Sequence, residues 1–115
     1  MTDLNIIVGG RIEDDAVAFV DAWRHAERGD HVRERTLLFE SWDALTKVMT
    51  GARYHLLKHV HAHPESSVSA LARSLGRHYR RVHADVIALE AAGLVTRREG
   101  SIQAAADDIS AAIRL

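Results

Sequence analysis

The stretch GRHYRRVHADVIALEAAGL, residues 76–94, decides the fold. It opens on a glycine, runs basic and aromatic through its first half, turns apolar at helical spacing, and ends just past a second glycine, Gly93. Val82, Val86 and Leu89 share one stripe, which predicts a helix over 78–92 with Gly93 as its stop. The stripe commits one side of that helix to a core and leaves Tyr79, Arg80, Arg81, His83 and Ala84 facing outward. Two readings compete: a helix that lays its basic first turns in a DNA groove, or a core helix with a solvated charged face.

Upstream, ESSVSALARSLG (65–76) reads as a short helix with Ser67 as N-cap, Val68, Leu71, Ala72 and Leu75 as its apolar stripe, and Gly76 as its end. Before it, ARYHLLKHVHA (52–62) is capped by Thr50 and ends ahead of Pro64, because the residue preceding proline disfavours helix. A further helix over 42–49 follows Ser41 as its cap. Downstream, residues 94–98 read as a strand, Glu99-Gly100 as a turn and 101–105 as the returning strand. In the tail, DDISAAIRL, Ile109, Ala111 and Ile113 alternate, which favours a strand, while alanine favours a helix, and the sequence leaves both open. At the other end, 4–8 reads as a strand stopped by Gly9-Gly10, 13–28 as a helix with Ala16, Phe19, Val20 and Trp23 on one stripe, and 32–40 as a strand.

The fold class is therefore α+β, mainly helical. Residues 41–115 take the order of a winged helix-turn-helix (helix, short helix, four-residue turn, helix, β-hairpin) with a C-terminal strand. Residues 1–40 form an N-terminal β-α-β extension, read as a dimerisation or partner-binding segment. Phe19, Trp23, Phe39 and Trp42 are read as core or dimer-interface residues.

Composition fits one small domain with an appendage: 115 residues, 47% hydrophobic, 27% charged. No apolar run reaches the ~20 residues of a membrane span, and the first residues lack a basic n-region followed by an apolar one, so neither membrane insertion nor secretion is expected. The absence of cysteine removes disulfides, thiolate metal sites and a Cys nucleophile, and fits a cytoplasmic location. The net charge of −1 hides an asymmetry. Residues 1–40 carry five Arg against nine acids, whereas 51–98 carry eight Lys or Arg against Glu65, Asp85 and Glu90. A basic segment beside an acidic one suggests two surfaces with different partners, and chance variation in solvated charges accounts for it about equally well.

In a helix-turn-helix the first turns of the second helix enter the major groove. Arg80 and Arg81 are suited to guanine edges or phosphates, and Tyr79 to a phosphate or a thymine methyl; His83 and Ala84 lie on the same face. Arg77 and His78, at the helix start, suit backbone phosphates. Arg97 and Arg98 belong to the wing edge, near the minor groove or the adjacent backbone. Arginine pairs on solvated faces are common. The joint pattern of helix-turn-helix spacing, basic first turn and basic hairpin favours double-stranded DNA as the partner.

From Leu38 onward the chain resembles the small MarR-like winged helix-turn-helix regulators of the prokaryotic, toxin-associated group. The matching pieces are LFES (38–41), SVSALARSLGR (67–77), VHADVIALEAAGLV (82–95) and the isoleucine tail after Asp107-Asp108. AFVDAWRHAERGD (18–30) resembles the leader helix of that group. The resemblance implies a homodimer on a near-palindromic operator, an autorepressor, and an antitoxin that neutralises a cognate toxin protein. One departure is His78, where the group carries a capping Asp or Ser; histidine caps poorly.

Three other readings were weighed. The cluster HLLKHVHAHP places His55/His59 and His59/His63 at i,i+4, the spacing at which two imidazoles share a metal, which would make a metal-responsive regulator. The opposing reading, a solvated histidine-rich face without metal or cofactor, is favoured because no HExxH and no cysteine accompany it. A winged helix that binds protein and not nucleic acid is the second, and the basic third helix argues against it. An enzyme is the third; no GxSxG, P-loop, GxGxxG or paired carboxylates stand out, so none is expected.

Overall fold

The computed structural model describes residues 2–9 and 33–115, and among them are four helices and two sheets of an α+β fold. In order these are β1 (Thr2–Val8), β2 (Arg33–Phe39), α1 (Trp42–Val48), α2 (Gly51–Ala62), α3 (Val68–Leu75), α4 (Tyr79–Ala91), β3 (Val95–Arg98), β4 (Ser101–Ala104) and β5 (Asp108–Ile113). The expected helix over 13–28, with Phe19 and Trp23, lies outside the described residues. Among those described, no helix is long and apolar enough to cross a membrane.

The chain divides into two compact units, one of residues 1–47 and 106–115, the other of 48–105. In the first unit, β1 is the middle strand of a three-stranded sheet, order β2-β1-β5, and both pairings are parallel. A central parallel strand buried on both faces takes a near-continuous apolar run, and LNIIV supplies one apart from Asn5: Leu4, Ile6, Ile7 and Val8 are all buried. Gly9 has φ +74° and donates to the Phe39 carbonyl at 3.0 Å; a Cβ there would stand 3.1 Å from the Arg114 carbonyl oxygen. Both facts call for glycine.

The tail is a strand, the reading that alternation favoured. β5 pairs with β1, and residues 106–115 fall in one compact unit with residues 1–47. Asp107 joins the ends: its N–H donates to the Thr2 carbonyl at 2.8 Å and its carboxylate accepts from the Thr2 N–H at 3.2 Å. Trp42, expected in a core or interface, is 53% exposed, and Phe39 is half-buried.

In the second unit each helix starts on the cap its sequence offers. Thr50 Oγ1 accepts from Arg53 N–H at 3.2 Å, and Ser67 Oγ from Ala70 N–H at 3.0 Å. In the first unit Ser41 Oγ does the same for α1, from Ala44 N–H at 3.1 Å. Such caps satisfy N–H groups that a helix start leaves unpaired, each for about 1 kcal/mol. α3 and α4 end alike. Arg77 N–H reaches the Ala72 carbonyl and Gly76 N–H that of Arg73; Leu94 N–H reaches Leu89 and Gly93 N–H reaches Glu90. These are paired Schellman bonds around a left-handed residue, and Gly76 at φ +63° supplies it for the corner between α3 and α4. The connection is residues 76–78, one shorter than the expected four-residue turn, and His78, expected as the first helical residue, stands before α4.

The core of this unit gathers Leu56 and Val60 of α2, Leu71 of α3, Val82, Val86 and Leu89 of α4, and Leu94, Val95 and Ile102 of the hairpin, all essentially inaccessible. α3 packs on α4, α2 on β4 and α4 on β3. The sequence reading missed one link: Glu65 exchanges two backbone hydrogen bonds with Ile102, at 3.2 and 2.7 Å, so the segment between α2 and α3 adds a bridge beside β4.

Candidate nucleic-acid interface

With Val82, Val86 and Leu89 turned inward, helical geometry fixes what α4 shows outside. Tyr79, Arg80, Arg81, His83 and Ala84 are all exposed, as the stripe required. Tyr79 and His83 stack at 5.8 Å between ring centroids. Shallow open grooves flank the α3–α4 corner. One is lined by Arg77, His78 and Arg81; the other includes Ser69, Arg73, Gly76 and Tyr79. The result is a basic ridge with small residues beside it, beginning at a helix N-terminus whose N–H groups point outward.

His78 is the N-cap of α4. Its Nδ1 accepts from Arg80 N–H at 3.3 Å, so the expected weakness at this position is met by the imidazole itself. An accepting Nδ1 in neutral histidine leaves the proton on Nε2, which is then a donor for an anion.

Arg77 has a partner within the fold. Its Nη2 donates to Asp85 Oδ2 at 2.7 Å, and Arg53 Nε of α2 donates to Oδ1 of the same carboxylate at 3.0 Å. Arg53 Nη1 also donates to the Val48 carbonyl at 3.1 Å. The pair of arginines on one largely buried carboxylate ties α2, the corner and α4 together. Arg77 therefore has a positioning task before it has any phosphate to hold. Nothing about Asp85 suggested this beforehand except that it is the single acid in the first half of the opening stretch.

On the hairpin, Arg97 and Arg98 are exposed, and Arg97 Nε lies 3.2 Å from Glu90 Oε2 at the surface. The two-residue turn has both centres at positive φ, Glu99 at 52° and Gly100 at 76°, which is type I′ geometry. It presents Arg98 at the hairpin end.

The histidines of the cluster take several partners, and His59 and His63 lie 5.7 Å apart between ring centroids. His55 stacks on Tyr54 at 5.7 Å, His61 and His63 are exposed, and His59 Nε2 is 2.9 Å from Glu65 Oε1. Among the described residues no group of three or more His, Cys, Asp or Glu could hold a metal ion. Glu65 Oε1 also accepts from Ser74 Oγ at 2.9 Å. The hydrogen bonds from His59 and Ser74 hold its carboxyl below the ordinary value, against a smaller opposing effect of burial. This pair joins the end of α2 to α3.

No curated protein and no solved structure matches the chain. The family model described as HVO_A0114 matches residues 48–111, which takes in the whole basic helical unit, the corner, α4 and the hairpin, and reaches into β5. That is more than half of the chain, and the protein therefore belongs to the HVO_A0114 family.

Proposed function

We propose that the protein is a sequence-specific DNA-binding transcriptional regulator whose helical unit works as a winged helix-turn-helix. The observation that carries the reading is the outward face of α4: Tyr79, Arg80, Arg81, His83 and Ala84, all exposed at the N-terminal end of the helix that follows the Gly76 corner. α3 crosses behind it, α4 lies in the major groove, and the β3–β4 hairpin is the wing, with Arg97 and Arg98 at the adjacent backbone. His78 donates from Nε2 to a phosphate, while Arg80 and Arg81 reach base edges or phosphates. The MarR-like resemblance extends the reading to a dimeric autorepressor on a near-palindromic operator, with a cognate toxin as a second partner.

Arg80→Ala and Arg81→Ala test the assignment. Each should leave thermal unfolding unchanged, since both side chains are exposed. An arginine that reads a base costs ~1–3 kcal/mol of binding on removal and relaxes the preference at that base pair; one that holds a phosphate weakens all sequences alike. Binding unaffected by the double substitution sinks the reading.

A further inference from the structure

The two edges of the sheet β2-β1-β5 differ in kind. β2, RERTLLF, is charged in sequence over its first three residues. β5, DISAAI, has no charge after Asp108 and no proline, and all of its residues are exposed. Ile109 and Ile113 are 41% and 50% accessible. Among the described residues β5 pairs with β1 alone. Its backbone direction follows from one bond: Arg114 N–H donates to the Val8 carbonyl at 2.9 Å. Alternation turns the main-chain groups of Ala112 and Ser110 toward β1 as well, and those of Ile109, Ala111 and Ile113 outward.

We propose that a second copy of this chain covers this edge, with the two β5 strands paired antiparallel about a twofold axis at Ala111. The sheet then runs continuously through both copies. The register follows from the residues. Ala111 faces the partner's Ala111, Ile109 faces the partner's Ile113, and Asp108 faces the partner's Arg114, so opposite charges meet at both ends. Outward main-chain groups meet outward main-chain groups along the whole strand. A slip of one residue would set isoleucines against the opposite face. A slip of two would break the Asp108–Arg114 match. The pairing is closed by symmetry, which ends growth at two chains. It gives the dimer of the proposed function its interface, and rests on that reading only for the use the dimer is put to.

Sedimentation of the full chain at micromolar concentration tests it. The expected result is a species of twice the mass of one chain. Ala111→Pro removes an outward N–H and leaves the β1 hydrogen bonds alone. It should give a monomer with unchanged far-ultraviolet circular dichroism. Independently, Asp108→Arg should weaken the dimer on the order of tenfold, and Asp108→Arg with Arg114→Asp should restore it. A monomeric wild type, a dimer that survives Ala111→Pro, or a charge swap that restores nothing overturns the proposal. DNA titration of the same samples keeps the two readings apart: a monomer that binds DNA sinks the interface alone, and a dimer that ignores DNA sinks the regulator alone.

Discussion

Two carboxylates organise the helical unit, and neither was legible as such. Asp85 accepts from Arg53 and Arg77, residues 32 and 8 positions away, and only the folded corner brings the three together. Replacing the carboxylate by an amide leaves two partly buried guanidinium groups on one neutral acceptor oxygen, with an NH2 where the second oxygen was. Asp85→Asn should therefore cost about 1–3 kcal/mol in urea unfolding. Wild-type stability in that variant would show that the node is ornamental. Glu65 lends itself to a pH test. Its carboxyl titrates below the ordinary 4.5 in the folded chain, chiefly through the His59 hydrogen bond. The folded state thus binds fewer protons than the unfolded one. The stabilisation is complete above about 4.5 and is lost as pH falls through the lowered folded value. Glu65→Gln should lower stability at neutral pH and flatten its decline in acid; an unchanged acid limb would place the effect elsewhere. His78, by contrast, was singled out correctly as unusual, but the geometry makes it a working cap through Nδ1.

At the scale of elements, local signals were the readable ones. Ser41, Thr50 and Ser67 announce helix starts because a cap bonds N–H groups two or three residues away. Gly76 announces the corner because it stands at positive φ, and Val82, Val86 and Leu89 announce the buried side of α4 because their spacing is that of a helix. β5 was read as a strand but not as the partner of β1, since alternation says nothing about which distant strand supplies the hydrogen bonds. The backbone bridge of Glu65 to Ile102 was hidden for the same reason. The hairpin carries a prediction of its own. Glu99 is the one residue other than glycine at positive φ among the described residues. Glu99→Asn should stabilise the turn by roughly 0.5–1 kcal/mol, since asparagine tolerates that geometry. It also removes an acid beside Arg98, so DNA affinity at low salt should rise with it; a fall in both would contradict the type I′ role and the wing together.

Over the whole molecule, charge follows the division into units. Residues 48–105 hold eight Lys or Arg against four acids, while 1–47 with 106–115 hold seven against twelve. A net charge of −1 thus conceals a basic helical unit and an acidic sheet unit. This segregation was visible in the sequence, although its boundary was not, because the tail's membership of the sheet unit depends on pairing across the full length of the chain. The basic unit is suited to a polyanion, and the acidic one to a basic surface of a protein partner. The most direct measurement is the equilibrium binding of the full chain to the DNA upstream of its own gene, repeated from 50 to 200 mM salt. A dimer that neutralises roughly six to ten phosphates should lose on the order of 10³-fold in affinity or more across that range, through counterion release. It should also retain a preference for that DNA over an unrelated duplex. Binding that does not change with salt, or none at 50 mM, would contradict the account.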